Sequence, residues 1–159
     1  MKAATISSKG CVLVILLLAV FVCSCNSHVL YEKEKTFDAG WKMDSAAVFD
    51  VAVGDTSRIM DFILTFSHTD DYPCCNLWLF ASVENLESNR IETDTIELYM
   101  ADYDGRWFGK KSGDVFNVST YYRHHVKMAE TGNYRFSFRQ GMRFDNLQSI
   151  KVITLTITN

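Results

Sequence analysis

The chain lacks a basic stripe, a membrane-length apolar run, a disulfide framework and a convincing amphipathic helix, and each absence removes a class of protein. Its 16 Lys and Arg stand against 19 Asp and Glu, for a net charge of −3, with no cationic cluster. That balance argues against nucleic acid as a partner. The longest apolar stretch, Val12 to Val22, falls short of the ~20 residues needed to cross a bilayer. There is no Gly-x-Ser-x-Gly elbow, phosphate loop or His-Glu-x-x-His pair, so no catalytic machinery is expected. The acidic residues Glu84, Glu87, Asp94 and Glu97 read as a solvated face. His28 and His68 lie apart from His124 and His125. The last two are adjacent on an expected strand, where neighbouring side chains leave opposite faces and cannot share a metal. The chain is therefore expected to be no enzyme and to carry no cofactor and no metal.

What is present begins at the N-terminus. Lys2 and Lys9 precede the apolar run, and small residues follow it, which is the layout of a secretory signal. The tetrad Val22-Cys23-Ser24-Cys25 resembles a bacterial lipobox, with an aliphatic residue and two small ones before an obligatory cysteine. Cleavage after Ser24 leaves Cys25 as a lipidated N-terminus, the expected lipidation site and the route to a membrane partner. More than one acyl chain, at ~0.8 kcal/mol per buried CH₂, makes such an anchor firm. Residues 1–24 are thus read as signal peptide, 25–35 as a polar lipidated tether and 36–159 as the folded domain. Loss of Lys2 and Lys9 lowers Lys and Arg from 16 to 14, moving the net charge to −5. Cys11 and Cys23 leave with the signal, so only Cys74 and Cys75 enter the domain, and neighbours of this kind rarely bridge.

Beyond the tether the hydrophobic period is two. Phe49, Val51 and Val53 alternate with Val48, Asp50 and Ala52, while Met60, Phe62, Leu64 and Phe66 alternate with Asp61, Ile63 and Thr65. Further strands are expected at Leu77 to Val83, Ile91 to Met100, Val126 to Met128, Tyr134 to Gln140 and Ile150 to Thr158. Turn signals fall at Val53-Gly54-Asp55, Asp104-Gly105, Ser112-Gly113-Asp114 and Thr131-Gly132-Asn133. Seven or eight strands in one domain predict an all-β, antiparallel two-sheet sandwich of jelly-roll or immunoglobulin-like type.

The most distinctive segments are Asp71-Tyr72-Pro73, Asn76-Leu77-Trp78-Leu79-Phe80, and Tyr99 to Gly109, reading Tyr-Met-Ala-Asp-Tyr-Asp-Gly-Arg-Trp-Phe-Gly. With Gly40-Trp41 and Gln140-Gly141-Met142-Arg143, they make the chain similar to the gliding-motility lipoprotein GldH family of the Bacteroidetes. The resemblance implies an envelope-anchored accessory of the gliding apparatus, associated with type IX secretion, and no catalytic residues. Contact with envelope proteins follows from it as the expected mode of action. The stretch after Cys25 carries no acidic run, so the periplasmic face of the outer membrane is the expected location.

Two local readings complete the picture. Asp102-x-Asp104-Gly105 matches the start of a calcium loop, but Arg106 occupies the next ligand position and no glutamate closes the loop. A tight turn on Gly105, with Asp102 and Asp114 bonded to backbone amides, is the preferred reading. Tyr103, Arg106, Trp107 and Phe108 lie between glycines in a loop and are the candidate partner-binding residues, since Tyr, Trp and Arg dominate interface hot spots. Trp107 is read there as an exposed ring whose loss leaves the domain folded. The alternative function is a glycan-binding lipoprotein using Trp78, Trp107, Tyr121 and Tyr122, although Trp78, flanked by Leu77 and Leu79, is read as core.

Overall fold

A computed structural model describes residues 28–159; the expected signal peptide and Cys25 lie outside the described residues. The strands are β1 (Val29–Thr36), β2 (Trp41–Lys42), β3 (Ala47–Val53), β4 (Met60–Thr69), β5 (Asn76–Asn85) and β6 (Arg90–Tyr99), followed by β7 (Lys110–Ser112), β8 (Val115–Val126), β9 (Gly132–Gln140), β10 (Asn146–Leu147) and β11 (Ile150–Thr158). They form a five-stranded sheet in the order β1-β11-β4-β8-β7, a four-stranded sheet in the order β3-β9-β5-β6, and the small β2-β10 pair. All pairings between these strands are antiparallel. This is the expected all-β sandwich. No helix of the described residues is long and apolar enough to cross a membrane.

Strict alternation builds the core. In β3, β4 and β9 every second side chain is buried, and the two inner faces meet through pairs such as Phe62 of β4 and Phe136 of β9, with ring centroids 5.2 Å apart. Leu64, Phe66, Leu77, Leu79, Phe138, Ile153 and Leu155 are fully buried beside them. Burying a side chain of this size contributes about 1.5–3 kcal/mol, so these two faces supply most of the drive to fold. Outward-facing positions carry charge, as in the Asp50 and Arg135 pair on facing positions of β3 and β9, with contacts of 2.8 and 3.1 Å.

One end of the sandwich is closed by Trp41, wholly buried between Phe37 at 5.0 Å and Phe66 at 6.5 Å, its indole N–H donating to the Ser45 carbonyl at 2.9 Å. The Gly40 backbone before it crosses so close to β10 and Gln148 that a Cβ would lie 2.6 Å from the Gln148 Cα. Only glycine fits, which gives the Gly40-Trp41 pair a steric reason.

Three expectations change. Residues 29–35, assigned to the tether, form most of β1, which pairs with β11 from Val29 to Thr36. Its Glu32-Lys33-Glu34-Lys35 run masked the strand, and it suits an edge, where charge blocks pairing with another chain. Of the strand expected at Val126 to Met128 only Val126 is strand, as the last residue of the long strand β8, whose polar Asn117, Ser119 and Thr120 hide its earlier part. Trp78 is not core: it is 39% exposed.

The ends of the sandwich are distinct. Val29 faces Thr158, Thr158 faces Asp61, and Met60 faces Val126, so the chain enters the fold at the same end at which β11 finishes and β8 runs out. The other end holds the turn from β4 to β5, the loop from β6 to β7, and the loop after β9. About ten residues of strand, at roughly 3.3 Å each, put ~33 Å between the two ends.

Candidate functional site

The loop from Met100 to Gly109 sits at the end remote from Val29. It folds back on itself as a small hairpin: Ala101 bridges Trp107, the Phe108 amide donates to the Met100 carbonyl at 2.8 Å, and the Asp102 amide donates to the Arg106 carbonyl at 2.9 Å. Asp102 organises the turn, because its Oδ1 accepts the amides of Asp104 at 3.0 Å and Arg106 at 2.8 Å. The Arg106 amide bond is the largest cause that holds its carboxyl below the ordinary range, and the Arg106 guanidinium and the Asp104 amide add to it. Arg106 spans Asp102 at 3.0 Å and Asp104 at 2.7 Å. The two carboxylates therefore serve the turn and the arginine, and Gly105 adopts the left-handed conformation, φ 78°, as expected. At the end of the loop Gly109 lies against β8, where a Cβ would stand 2.0 Å from the Asn117 carbonyl oxygen.

The four candidate partner-binding residues divide into two kinds. Tyr103 is fully exposed, Phe108 is exposed, and Arg106 projects into solvent between its two carboxylates. Trp107 instead turns inward and packs partly buried on the core. Its ring meets His68 edge-on at 4.7 Å, with Tyr72 at 6.2 Å and Phe116 at 6.3 Å, and its indole N–H donates to Asp70 Oδ1 at 2.6 Å. The indole pins the loop, and the other three side chains are what it displays.

His68 is the centre of that support. It is wholly buried, with Phe116 at 5.6 Å and Tyr72 at 5.5 Å as further ring neighbours. Nδ1 lies 2.9 Å from the Thr69 carbonyl, which must accept, so Nδ1 carries the proton and Nε2, which has no partner, is the bare nitrogen of a neutral ring. Burial pushes its pKa below 6.5, outweighing the Thr69 bond and the charge of Asp70. The unfolded chain therefore binds a proton that the native chain refuses. The His68 contribution is intact above about pH 6.5 and is lost as the pH falls from there toward the lower native pKa. Melting temperatures measured from pH 7.5 to 5 are expected to fall on acidification, and His68→Phe should flatten that slope. An equal slope in the variant would assign the pH dependence elsewhere.

Beside the loop, the outer face of β5 presents Trp78 and Phe80, the latter 48% exposed, with Phe144 exposed nearby. Together with Met142, Gly141 and Cys74 they line one shallow depression. Gly141 fits beneath the Phe80 ring, where a Cβ would be 3.1 Å from it. Sequence reasoning missed this face although the signal was present: Leu77, Leu79, Ala81 and Val83 already fill the inward positions of β5, which leaves Trp78 and Phe80 pointing out. The remaining aromatics proposed for sugar stacking do not join it. Tyr121 lies on β8 beside His124, and Tyr122 packs its edge on core Phe138 at 5.2 Å. Cys74 and Cys75 are free thiols, and burial raises the pKa of Cys74.

One expectation is overturned outside this end. His124 and His125 do not leave opposite faces; their Nδ1 atoms approach to 3.2 Å, and both face Asp61. The pairing explains it. Met60 faces Val126 and Phe62 faces Arg123, so both histidines stand opposite the single residue Asp61. This is a β-bulge, with His125 at φ 54°, and it cancels the alternation on which the expectation rested.

Comparison with known proteins agrees with the sequence resemblance. The gliding motility lipoprotein GldH homolog of Christiangramia forsetii is 26% identical over 147 residues, covering 90% of each chain. The gliding motility lipoprotein GldH of Flavobacterium johnsoniae is 28% identical over 130 residues, covering 82% of this chain and 80% of its own. Among solved structures, an arabinose-bound α-L-arabinofuranosidase aligns with a TM-score of 0.37 at 8% identity, over 84% of this chain and 23% of that one, a likeness too slight to carry an argument. The family model described as GldH lipoprotein matches residues 29–157, from the first residue of β1 to the penultimate residue of β11, and the chain belongs to that family.

Proposed function

We propose that the protein is a lipid-anchored accessory of the gliding-motility apparatus and its associated type IX secretion system, acting by contact with envelope proteins from the periplasmic face of the outer membrane. Membrane anchoring is what membership of a lipoprotein family implies. The observation that carries the contact reading is the polarity of the sandwich. The chain enters at the Val29 end, four residues along the sequence from Cys25, whereas Tyr103, Arg106, Phe108 and the Trp78 and Phe80 face lie toward the opposite end. The point of entry and the display surface are thus separated by the length of the domain, so a Cys25 anchor would leave Tyr103, Phe108, Trp78 and Phe80 facing away from the membrane. Large aromatics and arginine, held on a pinned loop, are the residues from which interface hot spots are made. Glycan binding is not favoured, because the family is one of gliding-motility lipoproteins and the four candidate rings are dispersed.

The C-terminus lies at the Val29 end, so a C-terminal tag leaves the display surface free. Capture through such a tag from detergent-solubilised membranes is expected to retain gliding or secretion proteins. Tyr103→Ser with Phe108→Ser, or Trp78→Ser with Phe80→Ser, should each weaken that retention at least tenfold, given the ~2 kcal/mol or more carried by a hot spot. Retention of the same partners unchanged by both pairs would sink the assignment of the surface, and specific retention of glycans through Trp78 would replace the function.

A further inference from the structure

We infer that Asp61, His124 and His125 form a binding site for a divalent transition-metal ion of the zinc type, at the end of the five-stranded sheet where the chain enters the fold. The three potential ligand atoms make a nearly equilateral triangle. Asp61 Oδ1 lies 3.0 Å from His124 Nδ1 and 3.4 Å from His125 Nδ1, and the two imidazole nitrogens are 3.2 Å apart. A tetrahedral ion with bonds of about 2.0–2.1 Å keeps its ligands roughly 3.3 Å apart. The spacing is therefore that of one face of a zinc tetrahedron. Two imidazoles and a carboxylate are a ligand set of intermediate softness, suited to zinc, copper or nickel rather than to calcium or magnesium.

The backbone gives an independent reason. Positive φ is uncommon outside glycine, and histidine is among the residues that reach it; His125 does so at 54°, inside a bulge that sets two residues against one. Bulges of this kind re-aim side chains, and here the result is that both rings converge on one carboxylate. Asp61 is itself fixed, its Oδ1 accepting the His125 amide at 2.7 Å. It is oriented before any cation arrives. The two histidines are exposed and Asp61 is partly so, which leaves the fourth position of a tetrahedron open to water or to a donor from another molecule. The site clips the end of β8 to β4 two strands away from β1, so an occupied site would stiffen the end of the sheet that adjoins the anchor.

The test uses the full-length protein in detergent, purified without a histidine tag, with zinc chloride as the probe. Calorimetry is expected to show one equivalent of saturable binding. Cobalt in place of zinc should give the visible bands of a tetrahedral ion, displaced by zinc. His124→Gln should lower the affinity at least about tenfold, and so should His125→Asn, which removes the imidazole but keeps a residue that tolerates positive φ. His28→Ala should change nothing. Circular dichroism of each variant reports folding separately from binding, and zinc-induced shifts of the His124 and His125 imidazole resonances in the unaltered protein need no variant. Absence of saturable binding, or binding that survives both substitutions and leaves those resonances unmoved, overturns the site.

Discussion

Cys25→Ala is expected to release the protein from the membrane or to strand it as an unprocessed precursor. Without the thiol no diacylglyceryl thioether forms, and processing that depends on it stops, so the variant is expected either to leave the detergent phase of a Triton X-114 partition or to accumulate with its signal uncut. The effect should be close to total. A single myristoyl chain gives only marginal binding, whereas two or three chains hold a protein firmly, and no second anchor replaces them within the described residues: the five- and four-stranded sheets bury their apolar faces against each other. The domain itself should be unharmed. The core is built from residues between Phe37 and Ile157, and Val29 at the head of β1 is paired to Thr158 of β11. A Cys25→Ala protein that is processed and membrane-held as before would refute the lipoprotein assignment of that cysteine.

The class of fold was legible because β3, β4 and β9 bury one face and wet the other, which writes a period of two directly into the sequence. Where a strand lies at an edge, that signal vanishes. In β1 the run Glu32 to Lys35 is exposed on both sides, so its strand character comes from pairing with β11 and not from burial. In β8 two bulges interrupt the register with β4, one at His124 and His125 and one at Tyr122, and alternation read through them assigns faces wrongly. A bulge costs one extra residue, and nothing in composition marks it. Trp78 failed for a different reason. Continuous apolar character in Leu77 to Phe80 predicts burial on both faces, but a two-sheet sandwich covers only one face of each sheet. In the loop, the turn chemistry of Asp102 and Gly105 was readable because it is local. The inward turn of Trp107 was not, since its partners His68, Tyr72 and Phe116 come from β4, the following turn and β8.

That last placement sets the expected behaviour of Trp107→Ala. The substitution removes a half-buried indole that touches three aromatic rings and donates to Asp70. Full burial of a tryptophan is worth 3–5 kcal/mol on truncation, so a half-buried one is worth about 2 kcal/mol, and the hydrogen bond adds up to about 1 kcal/mol. For a domain of this size the melting temperature should fall by roughly 10 °C, with the far-ultraviolet spectrum still that of a β protein. Trp107→Phe, which keeps a ring against His68 and loses only the donor, should recover most of the loss. By contrast, Tyr103→Ser combined with Phe108→Ser alters exposed side chains and should move the melting temperature little. Partner capture then separates support from contact. Trp107→Ala should weaken it through a loosened loop, and Trp107→Phe should restore it along with stability, while the Tyr103 and Phe108 pair should lose it with stability intact. A Trp107→Ala protein that melts like the unaltered one yet fails to bind would make the indole itself the contact surface, exposed in solution, and would displace the role given to His68 as its support.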